Sequence, residues 1–111
     1  MASQRRPVRR SDLFLETARQ SFPPGGSPDG RPSFELFERG PLHAAEELCA
    51  LAFEQMAEPY PGIRAWTTIA VPFFPPMTFY AVLDTTGVVD LMDLTIDTDY
   101  DWGTPNDEDP Y

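Results

Sequence analysis

The chain contains a single cysteine, Cys49, a single histidine, His43, and 18 acidic side chains. Nucleophilic catalysis needs a nucleophile beside a base. Cys49 and His43 lie on one helical segment, and their spacing sets them about 120° apart around its axis. They cannot pair. Cys49 falls on an apolar stripe and reads as a small core residue, while His43 in the first helical turn reads as solvated. A zinc site draws several ligands from Cys and His, and two such residues in total do not supply them. Among the acids, Asp97, Asp99, Asp101 and Glu108 take relative positions one, three, five and twelve of a calcium loop. The glycine that the sharp turn of such a loop needs is replaced by Trp102, and Pro105 stands at position nine. The segment therefore reads as a solubilising acidic tail, with a calcium-binding tail as the alternative. The glycines at 25, 26 and 30 sit among prolines, with no strand before them and no lysine after, so they do not form a phosphate loop. No cofactor and no catalytic group is expected.

Binding chemistry is better represented. Phe73 and Phe74 lie between prolines and are expected to be partly exposed; together with Trp66, Tyr100 and Trp102 they are the candidate partner-binding residues. The alternative use of these rings is to cover one end of the core. Charge narrows the partner. The formal net charge is −10. Residues 1–40 hold seven of the eight arginines and five acids, whereas residues 41–111 hold Arg64 alone against thirteen acids. Nucleic-acid binding needs cations that displace counterions from phosphates, and the folded part lacks them. A protein partner that is basic or carries an apolar groove fits, as does a homodimer. The arginines at 5, 6, 9 and 10 read as a disordered tail, with contact to nucleic acid or an acidic surface, or self-docking onto the acidic half, as alternatives.

One domain is the most a chain of 111 residues is expected to hold. No stretch reaches the length of a membrane span. A lone cysteine, and N-terminal arginines with no apolar run after them, point to a reducing, cytoplasmic setting. The absence of lysine, with abundant Ala, Pro and Gly, fits a G+C-rich bacterial genome.

The elements that must position these residues form an α+β pattern. Residues 1–32 read as a basic arm and linker. Ser11-Asp12 caps a short helix over Leu13–Gln20, and the stretch from Phe22 to Pro32 is rich in proline and glycine. Residues 33–98 read as the folded domain. Phe34–Glu38 alternates and is expected to be a strand. Pro41 opens a helix running to about Ala57, with Leu42, Ala45, Leu48, Cys49, Ala52 and Met56 on its apolar face, and Pro59–Gly62 ends it. Strands follow over Ile63–Val71, Thr78–Leu83 and Val88–Ile96, as a three-stranded antiparallel meander with the helix on one face. Asp84–Gly87 is the hairpin turn between the last two. Parity in the last strand breaks: Val89 and Leu91 fall opposite Met92, Leu94 and Ile96. Either a bulge lies near Leu91 or the first half is buried on both faces. Asp90, Asp93 and Asp97 largely mark a wet face. Residues 99–111 form the acidic tail.

Strand, helical segment and antiparallel meander, with Thr78–Ile96 as the last two strands and Ala57–Gly62 as the break before the sheet, resemble the RelE/ParE toxin fold. The resemblance spans about Phe34 to Tyr100. It implies a toxin of a toxin–antitoxin pair, in which RelE-type members cut mRNA on the ribosome with arginine, lysine, histidine or tyrosine on these strands. Only Tyr80 and Tyr100 match such positions. The family carries a helical hairpin between its first two strands, where this sequence is expected to hold one helix. The expected function is therefore a non-catalytic, acidic protein-interaction domain of RelE/ParE-like fold, with a toxin as the alternative.

Overall fold

Pro7 is followed by an extended triplet, Val8–Arg10 (β1), that runs straight into a helix over Asp12–Ser21 (α1). Ser11 joins the two. Its backbone N–H donates to Leu91 O, and its hydroxyl oxygen accepts from Phe14 N at 3.1 Å, capping the helix. Asp12 in the first turn and Arg19 in the last complement the helix dipole. Phe14 and Ala18, one turn apart, are fully buried, and so is Phe22 at the helix end. The computed structural model describes residues 5–68 and 74–97.

The N-terminal region thus departs from a disordered or loosely helical arm: β1 belongs to the sheet and α1 to the core. A second correction concerns Phe34–Glu38. That segment is a helix, Phe34–Arg39 (α2), not a strand. Ser33 accepts from Leu36 N at 3.2 Å, and Phe34 and Phe37, three apart, are both buried while Leu36 faces water. Gly40 ends α2, its N–H donating to Leu36 O and Phe37 O. Pro41 then begins α3, Pro41–Ala52, which buries Leu42, Ala45, Cys49 and Ala50. The helix stops short of Ala57: a 3₁₀ turn covers Phe53–Gln55, and Ala57–Tyr60 forms an edge strand, β2. Pro59 is tolerated there because an edge strand leaves some N–H positions unpaired. Pro61-Gly62 is accordingly a hairpin turn rather than only a helix stop, with Gly62 at φ 80° and its N–H held by Glu58 Oε2 at 2.7 Å.

Three more strands follow, Ile63–Thr67 (β3), Met77–Leu83 (β4) and Val89–Ile96 (β5). The sheet is five-stranded and mixed, in the order β1-β5-β4-β3-β2, with β1 parallel to β5 and the other pairs antiparallel. It therefore exceeds the three-stranded meander expected, while the α+β class stands. In the β4–β5 turn, Asp84 accepts from Thr86 N, Thr86 Oγ1 and Val88 N, and Gly87 takes φ 91°. The parity break resolves as a bulge: Tyr80 pairs with Asp93 and Ala81 with Leu91, leaving Met92 as the extra residue. Val89 and Leu91 thereby share the buried face with Leu94.

The core lies between the helices and one sheet face. A ladder of rings crosses it. Trp66 stacks on Phe79 (centroids 5.7 Å apart), Phe79 on Phe37 (6.0 Å), Phe37 on Phe22 (4.9 Å), and Phe22 meets Phe74 edge-on (5.7 Å). Such pairs add about 0.5–1.5 kcal/mol each beyond burial. Phe14→Ala and Phe22→Ala are each expected to lower unfolding free energy by about 3–5 kcal/mol. Leu13→Ala, at a position 56% exposed, is expected to change it by less than about 0.5 kcal/mol. Urea titration of the three variants checks this; an arm outside the core would leave all three alike.

Candidate interaction surface

Each arginine of the N-terminal segment is held by carboxylates of the same chain. Arg5 makes a two-pronged pair with Glu47, at 2.9 and 2.8 Å, and Arg6 does the same with Glu54. Arg9 lies 3.1 Å from Asp90 and 3.6 Å from Asp84. Arg10 bridges Glu46 and Glu38, each at 2.6 Å. Of the alternatives weighed for this basic run, the structure takes self-docking. Two helices and the sheet position the acceptors. Glu38 is on α2, Glu46 and Glu47 are on the polar side of α3, Glu54 is in the 3₁₀ turn, Asp90 is on β5 and Asp84 is in its hairpin. Hydrogen bonds from Arg5 and Arg6 hold the carboxyls of Glu47 and Glu54 below the usual range. Asp84 is lowered first by the Thr86 hydroxyl, with Arg9 adding to it.

Arg64, the one cation of the C-terminal half, is structural. It donates to Glu54 O and Met56 O at 3.0 and 2.9 Å and lies over the Phe53 ring. That ties the 3₁₀ turn to β3. Cys49 is fully buried, and burial pushes its thiol up to about 11, so little thiolate exists at neutral pH. His43 is exposed on α3. Among the described residues, no group of three or more His, Cys, Asp or Glu side chains is placed to hold a metal ion, and no helix is long and apolar enough to cross a membrane.

The helices leave the second sheet face bare among the described residues. Tyr80 sits on that face, half-buried, with Asp93 directly across on β5; Val82 lies opposite Asp90. Met92, pushed out by the bulge, is half-exposed beside them. At the far edge, β2 pairs with β3 only as far as Ala57 opposite Ala65. Beyond that point Trp66 and Thr67 border an open groove of about 770 Å³ with Leu48, Met56 and Tyr80 in its walls.

Two candidate residues, Trp66 and Tyr80, therefore meet at one groove. Trp66 has its ring on the helix side, against Phe79. Phe74 is half-buried at the opposite end of the ring ladder, packed on Phe22, so it is not brought to the groove. Asp97, just past β5, is exposed, and its N–H donates to Pro76 O. Phe73, Asp99, Tyr100, Asp101, Trp102 and Glu108 lie outside the described residues. Sequence reasoning missed the carboxylates that receive the arginines. For Glu46 and Glu47 the available signal was their place on the polar side of α3; the others come from α2, the 3₁₀ turn and β5 with its hairpin, which no local pattern brings together. No protein-family model matches the chain, and no curated protein and no solved structure matches it.

The lowered carboxyls fix the sign of a pH effect. Groups whose folded pKa is depressed contribute stability above their unfolded pKa, and the contribution is lost as pH falls through the folded value. Stability is expected to drop on acidification below about 4.5, the ordinary glutamate value, and the Arg5→Ala/Arg6→Ala double variant is expected to show a flatter profile. Urea midpoints taken across this range check it. The Cys49 thiol is expected to resist a thiol reagent in the folded protein and to react fully in denaturant.

Proposed function

We propose that this chain is a non-catalytic protein-interaction domain that presents the helix-free face of its sheet to a basic partner. One observation carries the reading. The N-terminal arginines are engaged within the chain, and the bare face centred on Tyr80 bears Asp84, Asp90 and Asp93 with Arg9 as its single described cation. An aromatic ring flanked by half-exposed carboxylates suits arginine or lysine side chains, which stack on the ring and pair with the acid. The groove beside Trp66 extends the same surface toward β2.

Tyr80→Ala and Asp93→Arg test this. Both residues are half-exposed, so each change is expected to shift stability by less than about 1 kcal/mol. Proteins that the wild-type chain retains from its native cell extract are expected to be basic and to be lost by both variants. Retention of an unchanged set by both folded variants would refute the assignment of this face.

A second reading, a toxin of RelE/ParE-like fold, draws on one observation. Helices precede an antiparallel run of strands that ends in the β4–β5 hairpin, as the resemblance implies, although the segment it takes as its first strand, Phe34–Glu38, is helical. Tyr80 is the described residue that reading would use. It expects growth arrest on expression that Tyr80→Phe relieves; normal growth on expression of the wild type counts against it.

A further inference from the structure

We propose that the track occupied by β1 is itself a docking site for an extended, arginine-bearing segment of a partner protein, and that β1 is its resident occupant. The track runs along the edge of the helix-free face and shares Asp84 and Asp90 with it; the pairing of β1 with β5 and the carboxylates of α2, α3 and the 3₁₀ turn set it apart. The track has a defined chemistry. Its floor is the outer edge of β5, where Val89 N donates to Pro7 O and Ser11 N donates to Leu91 O. Six carboxylates line it: Glu38, Glu46, Glu47, Glu54, Asp84 and Asp90. The occupant's pattern is two arginines, a proline, an apolar residue and two arginines. Val8 packs against the core at the centre of that pattern.

Three features make the occupant replaceable. The strand is only three residues long and lies at the sheet edge. Two of its four arginines, Arg5 and Arg9, have side chains 57% accessible, and exposed pairs are individually weak because water screens them; Arg10, 28% accessible between Glu46 and Glu38, is the firmer anchor. Finally, the fit is incomplete. Among the described residues, Asp90 Oδ1 is buried without a hydrogen-bond partner, although Oδ2 of the same side chain meets Arg9. A buried acceptor left unmet costs stability, so a foreign strand that supplies a second donor there gains what β1 forgoes. Strand addition of this kind takes its affinity from main-chain bonds and its specificity from alternate side chains. Here the side chains read would be one apolar residue with arginines on both sides.

The test uses the full chain and a synthetic peptide of its residues 1–10, followed by amide chemical shifts. In the Arg9→Gln/Arg10→Gln variant, the peptide is expected to bind at least about tenfold more tightly than in wild type, since charge-assisted bonds are the stronger ones. Shifts should concentrate at Val89–Leu91 and at Glu46 and Glu47, not at Tyr80 and Asp93. Binding should fall steeply between about 0.1 and about 1 M salt, where the screening length shrinks from about 10 to about 3 Å. Equal affinity for the two proteins, no binding to the folded variant, or shifts confined to Tyr80 and Asp93 would overturn the proposal. If the variant does not fold, hydrogen exchange in the wild type decides. The Leu91 and Arg9 amides are expected to exchange by local opening that salt accelerates; exchange only through global unfolding would overturn the proposal.

Discussion

The parallel pairing of β1 with β5 sets the course of everything between them. It places the start of the chain at one edge of the sheet, while the antiparallel run β2 to β5 must begin at the other edge. Four strand spacings, about 19 Å, separate those edges. The chain has to cross that width before the first meander strand, and α1, α2 and α3 make the crossing. They cross on one face only. That face becomes the core, and the opposite face, with Tyr80, Val82, Met92, Asp90 and Asp93, is left to water or a partner.

Two sets of contacts hold this arrangement. Inside, the rings of Trp66, Phe79, Phe37 and Phe22 pass from β3 and β4 through α2 to the end of α1, so the sheet and two of the helices share one continuous packing unit. Outside, arginines on β1 pair with carboxylates from α2, α3, the 3₁₀ turn, β5 and its hairpin. The acidic side chains fall into two groups. One group pairs with the arginines in and just before the first strand and holds it against the sheet. The other includes Asp93, across from Tyr80 on the bare face.

Some of this is legible in the residues. Asp84 and Gly87 announce the hairpin, Pro41 with the apolar stripe of α3 announces that helix, and the parity break at Leu91 announces the bulge. Other parts depend on contacts far away in the chain. Val8–Arg10 has no alternation and carries two arginines; it becomes a strand because β5, 81 residues on, offers an edge and an acidic border. Phe34, Leu36 and Phe37 satisfy both a strand pattern and a helical one, and the Ser33 cap with the burial of Phe37 selects the helix. Ala57–Tyr60 contains a proline that reads as a breaker, yet an edge position accepts it. Of the candidate surface, Trp66 and Tyr80 were legible as aromatics in strands. Their convergence at one groove depends on where β2 stops, which no local pattern encodes.

The central claim is that the first strand and first helix are integral to the fold rather than an appended arm. Nuclear Overhauser measurements on the full, isotope-labelled chain test it most directly. The account predicts backbone contacts between Arg9 and Asp90 in parallel register, together with ring contacts between Phe14 and Phe79 and between Phe22 and Phe37. Random-coil shifts for residues 5–22, with none of these contacts, would contradict it.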